Sequence, residues 1–173
     1  MLVPALVYKE ELLKQFAKEM YTDRYFYYMG YTLGHELPTI DDSDNVFRWA
    51  IVDPKFNVVL GYFAYAISSV CSSVSNFGWY SFSETGTSLR LGAISKLVIS
   101  DIKDKMNELF SQWHKVTWEM VSGNRVEPLY DKLLEEAASK GYQTYKNISH
   151  DCTKDQYGNF HDSIEYEVIN PNK

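Results

Sequence analysis

The side chains most often used for metal binding or covalent catalysis are sparse in this chain. Four histidines and two cysteines occur among its 173 residues. The histidines include no pair at i, i+4 and no HExxH motif, so their spacing predicts no zinc site. Cys71 and Cys152 stand in no pattern with a histidine that would make either thiol a nucleophile, and two cysteines are too few for a disulfide framework. We therefore expect neither a bound metal nor a covalent intermediate.

The charge balance limits the classes of partner. Lys and Arg total 17 against 23 Asp and Glu, which gives a net charge of -6 and a pI near 5.2. A protein that binds nucleic acid normally presents a basic face to the phosphates, so nucleic acid is not an expected partner. The longest apolar run, 58–67, is about half the roughly 20 residues that a membrane helix needs. Since the first residues also lack the basic region of a secretory signal, we expect a cytoplasmic protein.

The elements that position any functional residue follow from hydrophobic periodicity. No internal repeat or linker divides the sequence, so we expect a single domain over 1–173. A short apolar segment over 2–8 predicts a first strand, and apolar residues at helical spacing predict a first helix over 9–21. The aromatic run 25–28 follows, and glycines and a proline then break regular structure up to the acidic residues 41–44, which predicts a mobile loop.

The rest of the chain alternates strands and helices. The predicted strands cover 47–52, 58–67, 74–82, 115–121, 142–148 and 163–169, and the predicted helices cover 88–112 and 126–140. The first two strands form an antiparallel hairpin, whereas the passage through helix 88–112 makes two neighbouring strands parallel. We therefore predict an α/β fold with a mixed, mostly antiparallel sheet flanked by helices. Ligands in such sheets bind at the carboxyl ends of the parallel strands.

Three short stretches carry a resemblance to a known family. They are Trp118–Asn124 (WEMVSGN), Pro128–Lys132 (PLYDK) and Tyr157–Asp162 (YGNFHD). With the predicted order of elements, they resemble the GNAT superfamily of acyl-CoA-dependent N-acetyltransferases, and the likeness is closest to small members of bacterial or phage type. The resemblance covers most of the chain from Val46 onward. It does not extend to the glycine-rich phosphate motif of the family, which 87–93 (TSLRLGA) does not reproduce.

The resemblance implies a site in a V-shaped gap where the two parallel strands splay apart. Acetyl-CoA, the co-substrate, would lie in this gap, with a strand bulge at Gly78 freeing backbone groups for it. Its diphosphate would lie on the N-terminus of the following helix, where free N–H groups favour anions. The residues expected to bind acetyl-CoA are Ser81, Phe82, Ser83, Gly86, Thr87, Ser88, Leu89, Arg90 and Asn124.

The resemblance also assigns roles in catalysis. Tyr130 would be the acid that protonates the departing thiolate, although a tyrosine on an amphipathic helix is equally expected in a core. The N–H groups near Ser81, Phe82 and Ser83 would stabilise the oxyanion. Asn124 would bind the cofactor, cap the next helix, or do both. Glu119, Glu84 or water would be the general base, and an exposed glutamate is also common as a plain surface charge.

The function implied is transfer of an acetyl group to a primary amine by direct attack in a ternary complex. The acceptor stays open between a small amine, an amino sugar, a peptide N-terminus and a lysine. An acidic loop around 36–44 would attract a cationic amine or simply add solubility, and His161 with Asp162 would face the acceptor or form a polar turn. Many members of the family are homodimers. The alternative is a non-catalytic GNAT-like module that binds acyl-CoA or a protein partner.

Overall fold

The protein is described by a computed structural model that covers residues 1–29, 37–82 and 91–173. Its strands are β1 (Leu2–Pro4), β2 (Val46–Asp53), β3 (Val58–Ser68), β4 (Ser73–Ser81), β5 (Lys115–Val121), β6 (Gln143–Lys154) and β7 (Phe160–Ile169). Its helices are α1 (Lys9–Glu19), α2 (Asp23–Met29), α3 (Leu91–Gln112) and α4 (Glu127–Ser139). Within these described ranges, none of the helices is long and apolar enough to cross a membrane.

The strands form one mixed sheet in the order β1-β2-β3-β4-β5-β7-β6. Among the described strands, β4 and β5 pair in parallel and every other neighbouring pair is antiparallel. The parallel pair arises because α3 carries the chain from the end of β4 back to the start of β5. The predicted fold class, a mostly antiparallel mixed sheet with one parallel pair and flanking helices, is confirmed.

Helices cover the two faces of the sheet unequally. On one face α1 buries Leu12 and Phe16 completely against aromatic side chains of β3 and β4. On the other face α3 and α4 bury their apolar stripes against β3, β4, β5 and β7. The α3 stripe recurs every three or four residues, as an amphipathic helix requires, and consists of Val98, Ile102, Met106, Leu109 and Phe110.

The aromatic run 25–28 differs from its prediction, because it lies in helix α2 instead of a loop. Tyr25 and Phe26 are almost fully buried, and the rings of Tyr25 and Tyr28 contact Phe16 of α1 and Tyr80 of β4. These contacts join residues far apart in the chain and stabilise a short helix that local propensity does not favour. Of the remaining predicted loop, 30–36 lie outside the described residues, and 37–44 form neither helix nor strand.

The last two strands are longer than predicted. They form a hairpin whose turn, Asp155–Asn159, is closed by two hydrogen bonds from backbone N–H groups to Asp155 Oδ1, each 2.9 Å long. The register shifts between Ser149 and Thr153, where Asp151 has a φ of 54°. This irregularity breaks the alternation of side chains that the prediction depends on, so the prediction ends β6 too early, at 148, and begins β7 too late, at 163.

Candidate active site

A gap opens between the two parallel strands of the sheet. Their pairing begins at Ser73 and Lys115 and ends at Phe77 and Trp118, although β4 continues to Ser81. Beyond this point the described strands β4 and β5 have no residues in register with each other. The predicted splay of the parallel pair is therefore present in the structure.

A bulge in β4 marks the point where the pairing ends. Between Val74 and Phe77 this strand holds one residue more than β5, and the same extra residue shifts its register against β3. Asn76, in the bulge, has a φ of 51°, a conformation that Asn tolerates better than most residues. The bulge expected at Gly78 thus lies two residues earlier, and an added Cβ at Gly78 would make only an ordinary contact with the ring of Tyr28.

The gap leads into a cavity of about 930 Å³ with walls from both faces of the sheet. From the face covered by α3 and α4, the walls include Ile99, Val126 and Tyr130; from the other face they include Tyr27 and His161. Five of the predicted site residues line this one cavity, namely Ser81, Phe82, Glu119, Asn124 and Tyr130. The predicted residues Ser83, Gly86, Thr87, Ser88, Leu89 and Arg90, and the alternative base Glu84, lie outside the described residues.

Backbone N–H groups of β4 point into the gap, but not all of those predicted. Phe82 N–H donates to the carbonyl of Leu60 in β3 at 2.9 Å, so this group is used within the sheet and cannot bind an oxyanion as expected. Successive N–H groups of a strand point to opposite sides. Those of Trp79 and Ser81 therefore point away from β3, toward the gap.

Tyr130 is held in the cavity wall by a residue that the sequence did not suggest. Its side chain is 4% exposed, and its hydroxyl accepts a hydrogen bond of 2.8 Å from Nε1 of Trp79. Burial raises the pKa of Tyr130, and the bond from Trp79 opposes this by favouring the phenolate. Since Trp79 is the donor, the hydroxyl proton of Tyr130 stays available to another acceptor.

The other two predicted polar residues at the gap have partners within the protein. Glu119 is exposed and accepts a hydrogen bond from the hydroxyl of Ser163. Asn124 accepts from the N–H of Val126 at 3.2 Å and donates to the carbonyl of Tyr27 at 3.5 Å. Asn124 therefore orders the turn before α4 and lines the cavity. It does not cap the helix as predicted, because the N-cap of α4 is Val126 and no side chain caps this end.

A histidine and an aspartate form a pair at the cavity that the sequence did not predict. His161 Nε2 lies 2.9 Å from Asp155 Oδ2, whereas Asp162, expected with His161 to face the acceptor or form a polar turn, contacts His150. The hydrogen bond from His161, together with those from Asn159 and Tyr157, holds the pKa of Asp155 well below its usual range. No sequence motif marks a carboxylate that contacts a histidine across a turn. The Asp155–His161 pair is therefore recognised only from the fold.

Helix α2 closes the cavity on the side of the His161 pair. Arg24 donates to the carbonyl of Ser81 at 2.6 Å, and Gln156 donates to Asp23 at 2.7 Å. These bonds tie α2 to the end of β4 and to the turn between β6 and β7. Within the described part of the chain, no three His, Cys, Asp or Glu side chains lie close enough together to hold a metal ion.

Comparison with solved structures identifies the fold. A GNAT-family protein described as a probable acetyltransferase, from Chromobacterium violaceum, matches with a TM-score of 0.58 and 13% identity over 98% of this chain and 85% of its own. A GCN5-related N-acetyltransferase from Brucella melitensis matches with a TM-score of 0.56 and 16% identity over 97% and 74%. A spermidine N-acetyltransferase chimera from Vibrio cholerae matches with a TM-score of 0.51 and 13% identity over 73% and 69%.

These matches show that the chain has the fold of GNAT acetyltransferases, as its sequence resemblance predicted. No protein-family model matches the sequence, and no curated protein is significantly similar to it.

Proposed function

We propose that this protein is an N-acetyltransferase that moves the acetyl group of acetyl-CoA to a primary amine by direct attack in a ternary complex. The observation that carries the proposal is the gap between β4 and β5, with Tyr130 in its wall. Acetyl-CoA, when bound, supplies a thioester whose carbonyl carbon the amine attacks and whose sulfur leaves.

The gap fits an extended thioester arm. The unpaired edge of β4 presents the N–H groups of Trp79 and Ser81, and an arm with its own amides can pair with such an edge as an added strand. The diphosphate is assigned to 86–90, by the resemblance to the family, and Asn124 to the cofactor side of the cavity.

The same N–H groups supply electrostatic catalysis. As the tetrahedral intermediate forms, negative charge develops on the thioester oxygen, and preorganised donors stabilise it. We assign this role to the backbone N–H groups of Trp79 and Ser81, because that of Phe82 donates to Leu60.

Tyr130 acts as the general acid. Its proton is free because Trp79 occupies a lone pair of the hydroxyl, and its raised pKa keeps it protonated at neutral pH. The departing thiolate takes this proton as the carbon–sulfur bond breaks. On the opposite side of the gap, the cavity residues able to accept a proton from the amine include Glu119 and His161.

A cytoplasmic location accords with the cysteines, since Cys71 and Cys152 are both exposed and free. Exposed thiols persist in a reducing compartment.

The test is binding and turnover measured together. Calorimetric titration with acetyl-CoA and with desulfo-CoA should give heat with both, and a hundredfold excess over Kd should stabilise the fold by about 2.7 kcal/mol. For a chain of this length that raises Tm by about 5–10 °C. Turnover is then followed with a panel of primary amines, including spermidine, which appears in the name of one structural neighbour.

Each alternative gives a different pattern. Binding of both ligands without turnover of any amine would identify the non-catalytic acyl-CoA-binding module. An absence of heat and of any change in Tm would contradict both and favour a protein-interaction module.

A further inference from the structure

We propose that His161, oriented by Asp155, is the base that removes the proton of the attacking amine. This inference rests on the proposed function and adds to it the group that was left open on the acceptor side. Two observations support it: the pair lies in the wall of the cavity, and the two carboxylate oxygens of Asp155 make different hydrogen bonds.

The two carboxylate oxygens of Asp155 do different work. Oδ1 accepts from the backbone N–H groups of Tyr157 and Asn159, each at 2.9 Å, and so builds the turn. Oδ2 accepts from the Asn159 side chain at 3.0 Å and lies 2.9 Å from His161 Nε2. The hydrogen bonds of the turn thus fix the Asp155 carboxylate, and this fixed carboxylate orients the imidazole of His161. Asp155 is therefore a positioning residue for His161.

This contact sets the tautomer of His161. A carboxylate oxygen can only accept, so the neutral imidazole carries its proton on Nε2. Its other nitrogen, Nδ1, then has the free lone pair that a base needs. The ring is also held by packing, with its centroid 5.1 Å from that of Phe26 in α2. His161 is therefore oriented by a carboxylate and a ring in the wall of the cavity.

His161 suits the task better than Glu119. The two lie on the same face of the neighbouring strands β7 and β5, since Val121 and Glu119 of β5 pair with Ser163 and Glu165 of β7. Glu119 is exposed and already accepts a hydrogen bond from Ser163. An imidazole, as a side-chain type, titrates nearer to neutral pH than a carboxyl does, and a base works best near the operating pH.

Several charged groups line the cavity together with His161. They are Asp155 in its own hairpin, Asp23 and Arg24 of α2, Glu119 of β5, and Arg125, which precedes α4. Arg24 is engaged by Ser81 and Asp23 by Gln156. Because these groups share the cavity with His161, their charges also influence the pH profile of the enzyme.

The proton balance closes without a further reactant. Nδ1 of His161 takes one proton from the amine nitrogen as the carbon–nitrogen bond forms, and Tyr130 gives one to the sulfur as the carbon–sulfur bond breaks. The imidazolium then returns its proton through solvent to the phenolate. Both residues regain their starting states, and the products are an amide and a thiol.

The kinetic test compares two histidines that both contact an aspartate. His161→Gln should lower kcat by about 10²–10⁴-fold and remove the acidic limb of the kcat profile. His150→Gln is the matched control, because His150 contacts Asp162 but is 78% exposed and does not line the cavity. We expect His150→Gln to change neither kcat nor its dependence on pH. If Glu119→Gln removes the limb and His161→Gln does not, the assignment is overturned.

A second readout does not depend on activity. Asp155→Asn keeps the Oδ1 acceptor of the turn but places an NH₂ group opposite Nε2, which should drive His161 to the Nδ1–H tautomer. Nitrogen chemical shifts of the ring, measured by NMR on the unliganded protein, should show Nε2–H in the wild type and Nδ1–H in the variant. An Nδ1–H tautomer in the wild type would overturn the inference.

The outcomes separate this inference from the proposed function. A wild-type protein that acetylates amines while His161→Gln keeps its kcat refutes only the role of His161. A folded wild-type protein that binds acetyl-CoA but acetylates no amine refutes both. If His161→Gln does not fold, the Asp155→Asn variant decides, since an unchanged kcat there contradicts the positioning role.

Discussion

The indole of Trp79 and the hydroxyl of Tyr130 are joined by a hydrogen bond of 2.8 Å between residues 51 positions apart. The bond links β4 to α4 at the cavity that opens beside the unpaired end of β4. Because the indole can only donate, it occupies an oxygen lone pair and leaves the phenol proton for another acceptor. In the proposed mechanism the same donor would also stabilise the phenolate that remains after proton transfer.

Replacement of Tyr130 by Phe is expected to lower turnover much more than cofactor binding. Phe keeps the buried ring but removes the proton donor, so kcat should fall by about 10²–10⁴-fold, the usual contribution of a general acid. The calorimetric Kd for acetyl-CoA should change little, since the interaction is made in the transition state. Tyr145→Phe is the control, because Tyr145 lies exposed in β6 away from the cavity. Equal losses in kcat and affinity would contradict the acid role.

Trp79→Phe tests the bond itself through a double-mutant cycle. Loss of a hydrogen bond to a group that becomes charged costs about 1.5–3 kcal/mol, which corresponds to a fall in kcat of about 10–100-fold. In the Tyr130→Phe background the bond is already absent, so the same change should cost little more. If Trp79→Phe lowers kcat by the same factor in both backgrounds, its effect is on packing and the proposed support of Tyr130 is wrong.

The sequence predicted what depends on local pattern and chain connectivity. The strands, the α3 and α4 helices and the parallel pairing of β4 with β5 all follow from periodicity and from the length of the crossover. The five described residues that the family resemblance assigned to the site line one cavity. The pairs Trp79–Tyr130 and Asp155–His161 could not be predicted, because each depends on side-chain directions at a bulge or a turn. Helix α2 was missed because its burial against Phe16 and Tyr80 is decided by tertiary contacts.

Direct attack predicts that both cysteines are dispensable. Cys71 lies in the turn between β3 and β4 and Cys152 in β6, both are exposed, and neither lines the cavity. The Cys71→Ala, Cys152→Ala double variant should keep kcat within about twofold, as surface changes away from a site usually do. Mass spectrometry of the wild type after mixing with acetyl-CoA should show no acetyl adduct on either thiol. A stable adduct that an amine discharges at the rate of turnover would rule out direct attack.

Alkaline pH should destabilise the fold through its buried tyrosines. Burial raises the pKa of Tyr62 to about 12 and that of Tyr166 to about 12, whereas tyrosines of the unfolded chain titrate near 10. Below pH 10 both the folded and the unfolded chain keep these protons, so the two tyrosines contribute fully to the free energy of unfolding. Between about pH 10 and 12 only the unfolded state loses them, and the free energy of unfolding falls as pH rises.

The slope identifies the residues responsible. Each such tyrosine contributes about 1.4 kcal/mol per pH unit in that window, so Tyr62→Phe should flatten the dependence on pH even though it also removes a contact with Arg48. Urea unfolding at a series of pH values from about 8 to 11 measures the slope. Tyr21→Phe is the matched control, because Tyr21 is 70% exposed in the folded chain. An unchanged slope in Tyr62→Phe, with a two-state transition, would show that ionisation of Tyr62 does not limit stability at high pH.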